Sequence, residues 1–491
     1  MNSSITETEL TKLPRPTRNK STLTPRIMHF GPGAFFRSFV ASLIDEVNEK
    51  SVEKWGIIAV SLRSKTTFDK LMMQDFVFNS LAVSSLSKEV QQISSISDFL
   101  VAQKNSQAVL DALSDEKIEI VSLTITEKGY HYNSDKKELD FFNQNIIDDL
   151  ENLEKPKTAV GFIVAGLKER YLKGKSPFTV LSCDNLPSNG AVVKKIVLDF
   201  AQKIDPFLAK WISEEVCFPS SMVDRITPAT KDQDIINFAE DYGTFDPALV
   251  IHEEFFQWVI EDKFSVGRPN FELAGIQIVS NVELHEKMKL RCLNGTHSSL
   301  AYLGYLAGFN TIAECISHDI MVKYIQYLWE KEIIPTLEAP EGEDLNDYCN
   351  ELLGRYQNPE IEHRTWQIAM DGSQKLPQRI LETVDDLLKN RRSFQGLALV
   401  IAAWIKYATG VDLNGATIDV RDPLANDFAI IAKKSKTSEH YVDSILDLSK
   451  VFPENLRKSS IFREAIQNSH KLLEQYGSLD SIKKLMVAVE K

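Results

Sequence analysis

The chain has 491 residues, too many for one ordinary hydrophobic core, and reads as two or three domains. Its 43% hydrophobic and 25% charged content is that of a soluble globular protein, and a net charge of −13 argues against nucleic acid or an anionic membrane as the main partner. No run of about 18 uninterrupted apolar residues occurs, so no membrane span is expected. The five cysteines (Cys183, Cys217, Cys292, Cys315, Cys349) are scattered and never form a CxxC pair. That pattern fits reduced thiols in a cytoplasm better than a disulfide framework or a zinc site.

In chain order, the polar segment Met1 to Lys20, with Pro14 and Pro16, reads as a frayed arm without an apolar signal core. Arg26 to Phe30 reads as a first strand, broken by Gly31-Pro32-Gly33 and followed by an amphipathic helix from about Phe35 to Lys50. Gly56 to Leu62 is a second strand and Ile118 to Thr126 a buried one. A long helix is expected around Thr158 to Lys173, then a strand from Phe178 to Cys183 that ends in Asp184-Asn185. Ala248 to His252 and Ile276 to Val282 read as further strands. Short apolar strands alternating with helices are the pattern of a parallel sheet covered on both faces. Beyond about residue 285, apolar residues recur at helical spacing through 298–308, 320–332, 376–390, 395–409 and 461–476. The expected architecture is α/β: an N-terminal Rossmann-type nucleotide-binding domain with extensions over residues 1–280, then a mostly α-helical C-terminal domain over 281–491.

Gly31-Pro32-Gly33, between a strand and a helix, can let a pyrophosphate approach backbone N–H groups at a helix N-terminus. The third glycine of a GxGxxG pattern is absent, and Phe36 stands in its place. A second strand that holds the ribose hydroxyls of NAD ends in an acidic residue. Here it ends in Ser61-Leu62-Arg63-Ser64, where Arg63 is either a partner for a 2′-phosphate or a surface arginine.

The run Lys289-Leu290-Arg291-Cys292-Leu293-Asn294-Gly295-Thr296-His297 offers a proton acceptor, an amide donor and an imidazole. At 100° per helical residue, Asn294 and His297 lie about 140° and 80° around from Lys289, so all three can look into one cleft. The same spacing also occurs on solvated helix faces with a capping asparagine. The run opens the first helix after the domain junction, where it can face an interdomain cleft of the kind in which such folds bind ligands. Asn185, after a buried strand, is either a turn residue before Pro187 or a second amide donor beside Asn294. Two preorganised donors aimed at one oxygen stabilise an alkoxide or a polarised carbonyl, and removing one costs on the order of 3 kcal/mol. Lys289 must be neutral to accept a proton, which takes desolvation or a cationic neighbour. Arg291 points elsewhere on a helix.

The segments HFGPGAFFRSF (29–39), VSLTITEKGY (121–130), FTVLSCDNLPSNG (178–190), SMVDRITP (221–228), QWVIED (257–262), KLRCLNGTHSSLAYLGYLAG (289–308) and HRTWQIAMDGSQKLPQR (363–379) run from His29 to about Asp422 with their surroundings. Together they resemble the mannitol dehydrogenase family, the long-chain, metal-independent polyol dehydrogenases. The resemblance implies Lys289 as general base in alcohol oxidation and general acid in ketone reduction. It makes Asn185 and Asn294 the oxyanion hole and His297 the residue that positions the substrate hydroxyl. Lys375 would bind further substrate oxygens, and Glu286 would sit beside the base and influence proton exit. Gly31, Gly33, Phe35 and Arg37 fall at the cofactor, with Val223-Asp224 along the nicotinamide side. NAD is the cofactor expected, with NADP left open, and no metal is expected. The chain offers no HExxH and no clustered Cys/His ligands.

Within that family, HRTWQIAMDGSQKLPQR resembles the fructuronate reductases (D-mannonate oxidoreductases), whereas mannitol 2-dehydrogenases typically carry an arginine at the position of Gln367. Interconversion of D-mannonate and D-fructuronate is therefore expected, with a mannitol 2-dehydrogenase as the alternative and a non-catalytic dehydrogenase-fold binding protein as a third reading. Arg364 or Arg379 is either a bidentate partner for the uronate carboxylate or a structural ion-pair residue. Two departures stand out. The family's Phe-His-Arg-x-His is here Phe35-Phe36-Arg37-Ser38-Phe39, which puts the usual contacts near the cofactor in doubt. Phe256 stands where the reductases commonly have arginine, which weakens the uronate case and leaves a different polyol open. The partners expected are a small-molecule sugar acid or polyol, with no nucleic acid and no membrane, in a cytoplasmic monomer or small homo-oligomer.

Overall fold

The computed structural model describes residues 13–16, 20–133 and 136–489, so most of the expected N-terminal arm lies outside the described residues. The chain divides into two compact units, Met1–Glu283 and Leu284–Lys491. In the first unit the strands are β1 (Thr24–Phe30), β2 (Trp55–Ser61), β3 (Phe78–Val83), β4 (Lys88–Ile93), β5 (Ile96–Val101) and β6 (Ile120–Leu123). They continue with β7 (Tyr132–Asn133), β8 (Glu138–Leu139), β9 (Thr179–Ser182), β10 (Ser221–Asp224), β11 (Val250–Glu253), β12 (Gln257–Glu261) and β13 (Gln277–Val279).

Five strands form one parallel sheet in the order β5-β2-β1-β6-β9. Alternate side chains of β1 enter different cores. Met28 and Phe30 join Phe162 and Val180, whereas Ile27 joins Phe36 and Phe39. Burial of both faces explains why these strands read as continuous apolar runs. The chain leaves β1 toward β2 and β5 on one side and reaches β6 and β9 on the other. The topological switch point, where such sheets leave a crevice for ligands, therefore lies between the carboxyl ends of β1 and β6.

Gly31 sits at that point with φ +95°, and a Cβ there would lie 2.0 Å from the Thr124 carbonyl oxygen. The Thr124 hydroxyl donates to the Gly31 carbonyl at 2.7 Å, and its N–H to Phe30 at 2.9 Å. These contacts end β6 at Leu123 rather than Thr126. Asp184 then accepts from the N–H groups of Ile125 (2.9 Å) and Thr126 (3.0 Å), and Thr126 adopts φ +62° and opens a short helix.

The helix after the glycine turn runs from Ala34–Phe36 through a widened i→i+5 turn, Arg37–Ala41, into Ser42–Lys50. Side-chain donors occupy carbonyls of that turn. Ser42 Oγ donates to Arg37 (2.8 Å), Arg225 Nη1 to Ser38 (2.5 Å) and Ser95 Oγ to Ala41 (2.7 Å). Thr158 caps the expected long helix, Ala159–Leu172, by accepting from Gly161 N–H at 3.0 Å. Three smaller sheets, β11-β3-β4, β10-β12-β13 and the two-stranded β7-β8, complete the described part of the unit. The strand expected at 248–252 starts at Val250, because Asp246 takes the Ala248 N–H at 2.8 Å. The one expected at 276–282 is only Gln277–Val279, since Asn281 turns to cap Glu283 at 2.8 Å.

From Leu284 on, the described residues form helices and two isolated bridges but no strand. The helix Gln395–Ala408 is apolar on all sides and sits in the middle of the core, packed against Thr296–Leu306 and the C-terminal helix. That last helix runs Ser460–Val489 and breaks at Gly477, where φ is +74°. No helix among the described residues is long and apolar enough to cross a membrane.

Gly31→Ala should destabilise the first unit, because it combines a left-handed φ, costing about 1–3 kcal/mol, with a clash against backbone. A thermal melt should show a Tm several degrees below wild type; an unchanged Tm would contradict the packing described here.

Candidate active site

In the second unit, a short helix (Glu283–Met288) leads into a widened turn, Lys289–Gly295, which continues as the helix Thr296–Leu306. This corrects the expectation of ordinary α-helical spacing. In an i→i+5 register a residue five positions on stacks nearly over the first, so Asn294 turns toward Lys289 instead of lying about 140° away. The solvated-face alternative also falls, since Lys289, Asn294 and His297 are only 7%, 8% and 6% exposed.

The widened turn is held by donors from elsewhere in the unit. Trp329 Nε1 donates to the Cys292 carbonyl at 3.0 Å, and the Tyr356 hydroxyl to Leu293 at 3.1 Å. Thr296 Oγ1 lies 2.8 Å from the Tyr356 hydroxyl. A Cβ on Gly295 would sit 3.0 Å from the Arg379 carbonyl, so glycine admits a second widened turn, Pro377–Leu381, against the first. Arg291 points away, as read, onto Asp386 at 2.7 Å and the Thr336 hydroxyl at 2.7 Å.

His297 packs edge-on against His363 (ring centroids 4.9 Å) and against Tyr356 (4.8 Å). Burial holds the His297 imidazole well below its ordinary range, and His363, Arg355, Arg379 and Lys289 push it the same way. Burial likewise brings His363 to about 4, helped by Lys375, Arg379 and Arg355. Both rings are neutral at physiological pH. His297 Nε2 and His363 Nδ1 are buried with no hydrogen-bond partner among the described residues. Arg379 Nη1 donates to Ser298 Oγ at 3.2 Å, and Lys375 Nζ to the Ile368 carbonyl at 3.2 Å. Arg364 stands apart, half exposed and 3.9 Å from Glu362. Arg355 and His363 were missed by the sequence reading. His363 opens the HRTW segment, whereas Arg355 carries no local signal.

In the first unit, Gly33 precedes the helix beginning at Ala34, and a Cβ there would meet nothing closer than 3.9 Å. The protein's own packing therefore leaves open space in front of Gly33, beside a helix N-terminus at the switch point. A pyrophosphate fits that chemistry. Phe35 stacks on Phe39 at 4.9 Å, and Arg37 Nη1 donates to the Pro32 carbonyl at 3.2 Å. Burial lowers Arg37 to about 10, with Asp246 opposing, so it stays a cation. Val223 and Asp224 end β10, buried and paired with Trp258 and Gln257 of β12. Asn185 is exposed in the turn after β9. That turn is pinned by Asn189 Nδ2, which donates to Asp184 (3.0 Å) and Ser221 (2.8 Å), and by the Tyr130 hydroxyl, which donates to Asp184 at 2.7 Å.

The two departures from the family pattern are packing features. Phe36 stacks on His29 at 4.0 Å, whose ring nitrogens lie 2.8 Å from Ser122 Oγ and 2.7 Å from Thr124 Oγ1. Phe39 and Phe256 flank the Arg225 guanidinium, at 6.0 and 5.1 Å from the ring centroids. Arg225 also donates to the Phe255 carbonyl at 3.1 Å. An arginine at 256 would set a second cation beside this buried one, whereas a phenyl face attracts it.

Because the unfolded chain titrates its histidines near 6.5, it binds more protons than the folded one between about pH 6.5 and 4. The stability lent by neutral His297 and His363 is full above that range and is lost as pH falls through it. His363→Asn should make the fall in Tm between about pH 7 and 4.5 shallower than in wild type. Parallel slopes in thermal melts would refute the neutral assignment.

Residues 25–273 match the family described as the mannitol dehydrogenase Rossmann domain, and 281–474 the mannitol dehydrogenase C-terminal domain. The chain is 41% identical to the D-mannonate oxidoreductase of Escherichia coli strain K12, over 95% of this chain and 97% of that one. It is 36% identical to the mannitol 2-dehydrogenase of Aspergillus clavatus, over 97% and 95%. Among solved structures, the ternary complex of Pseudomonas fluorescens mannitol 2-dehydrogenase with NAD and D-mannitol superimposes with a TM-score of 0.86, at 35% identity over 98% and 99% of the two chains. The chain thus belongs to the mannitol dehydrogenase family of oxidoreductases.

Proposed function

We propose that this protein is a metal-independent, NAD(P)-dependent oxidoreductase that interconverts D-mannonate and D-fructuronate, with Lys289 as general acid and base. One observation carries the reading: Lys289 and Asn294 on the widened turn and His297 at the start of the helix that continues it are all buried, with His297 held neutral.

The glycine turn suits a nicotinamide dinucleotide, with Gly31, Gly33, Phe35 and Arg37 at the phosphate end and Val223 and Asp224 along the nicotinamide side. When bound, that cofactor takes up or returns a hydride at the alcohol carbon. Lys289 removes the hydroxyl proton in oxidation and returns one to the oxygen in reduction, both at Nζ. Its burial supplies the desolvation this role requires. The side-chain amides of Asn185 and Asn294 donate to the reacting oxygen as negative charge develops. Neutral His297 can hold a substrate hydroxyl without placing a further cation beside Lys289. Glu286, three residues before Lys289, offers a route for the released proton.

The choice of a sugar acid is supported by the similarity to the D-mannonate oxidoreductase and by the cations Arg355, Lys375 and Arg379 acting on His363. A mannitol 2-dehydrogenase is the second reading, supported by the similarity to proteins of that name. The unpaired cysteines suit a reducing cytoplasm.

Oxidation of NADH and NADPH should be followed with fructuronate, tagaturonate and fructose in parallel. Fructuronate should be the preferred substrate; turnover of fructose but not fructuronate would overturn the assignment. Lys289→Ala should lower kcat by about 10²–10⁴-fold or more while leaving nucleotide affinity nearly unchanged. A loss below tenfold would mean that Lys289 is not the proton carrier.

A further inference from the structure

The second unit holds more positive charge around its two neutral histidines than proton transfer requires. Arg355, Lys375 and Arg379 all act on His363, and Arg355, Arg379 and Lys289 on His297. The elements that carry these cations are tied to the Lys289–His297 stretch. Arg355 lies in the last turn of the helix Leu345–Tyr356, and Tyr356 is anchored to Thr296 and Leu293 through its hydroxyl. Arg379 lies on the widened turn that meets Gly295, with Nη1 on Ser298, the residue after His297. Lys375, four residues earlier, is held by the Ile368 carbonyl.

Two buried ring nitrogens of these histidines, His297 Nε2 and His363 Nδ1, have no hydrogen-bond partner among the described residues. A buried polar atom left unmade costs stability, so such atoms mark places where a ligand completes the bonding. An uncharged polyol could satisfy a nitrogen but would form only ordinary hydrogen bonds with guanidinium groups. A carboxylate forms the shorter, charge-assisted ones and also accepts from a neutral imidazole N–H.

We propose that Arg355, Arg379 and Lys375, with the Nδ1 edge of His363, form a carboxylate-binding subsite within the second unit that selects sugar acids over uncharged sugars. This rests on the sugar-acid reading of the reaction and names the residues that enforce it. Arg364, half exposed beside Glu362, lies outside the subsite. His363 acts as a specificity residue, donating to a carboxylate oxygen and meeting His297 edge-on.

The test compares Arg355→Met and His363→Asn with wild type, and with Lys433→Met as a control for loss of an exposed charge. Steady-state kinetics are measured on fructuronate and fructose, together with thermal melts of the nucleotide-free protein in D-mannonate or D-mannitol. Both variants should lose about 10–100-fold in kcat/KM for fructuronate, mainly through KM, and stay within about threefold on fructose. D-mannonate should raise the Tm of wild type and Lys433→Met but not of the two variants. Equal losses on both sugars, or undiminished stabilisation by D-mannonate in the variants, would overturn the subsite. If wild type ignores fructuronate while D-mannonate stabilises it and not the variants, the subsite stands and the assigned reaction falls. No stabilisation by D-mannonate and no selective kinetic loss would overturn the subsite.

Discussion

A single widened helical turn, Lys289–Gly295, is the constraint on which the second unit depends. Shifting the hydrogen-bond register to i→i+5 turns Asn294 toward Lys289 and lets donors from outside the turn reach its carbonyls. Trp329 and Tyr356 add donors at Cys292 and Leu293, beside Thr296, whose hydroxyl reaches Cys292 and whose N–H reaches Leu293. The two aromatic donors bring in the segments that surround the turn, and Tyr356 brings Arg355 with it. Gly295, lacking a Cβ, lets the backbone at Arg379 approach from the other side. One local register change thus assembles a lysine, an amide, two neutral imidazoles and three further cations from residues up to about 90 positions apart.

The first unit uses the same device at Arg37–Ala41. There carbonyls of the turn accept from Ser42, Arg225 and Ser95, and the Arg225 contact joins the helix after the glycine turn to the segment just beyond Asp224. The aromatic faces of Phe39 and Phe256 keep that buried guanidinium in place. Phe36 meanwhile stacks on His29, which bridges to Ser122 and Thr124 at the switch point. Positions where the family usually has charged or polar groups here carry rings that pack around polar ones.

Much of this was legible in the sequence. β1, the glycine turn and the helix after it were readable because Gly31-Pro32-Gly33 interrupts two apolar runs. That Lys289, Asn294 and His297 share one helical stretch was legible from spacing, and their expected roles only from the family resemblance; the hydrogen-bond register was not, because apolar periodicity does not distinguish an i→i+4 from an i→i+5 turn over seven residues. β3 and β4 escaped notice because β4 is largely exposed and polar, with no apolar alternation. Arg355 was invisible for a different reason: its place is set by a hydroxyl on its neighbour, Tyr356, reaching a turn some 60 residues earlier. Phe36, Phe39 and Phe256 looked like losses because a single chain displays the missing histidines and arginine but not the guanidinium and imidazole they pack against.

In the proposed reading, the chemistry and the selectivity of this oxidoreductase share one scaffold, with proton transfer given to Lys289 and carboxylate recognition to Arg355, Lys375 and Arg379 of the same unit. The most direct measurement is a crystal structure of the protein with reduced nucleotide and D-mannonate bound. The account predicts the substrate carboxylate against Arg355 and Arg379, with the hydroxyl that is oxidised within hydrogen-bond reach of Lys289 Nζ. A carboxylate turned to solvent or to Arg364, or a reacting hydroxyl away from Lys289, would contradict it.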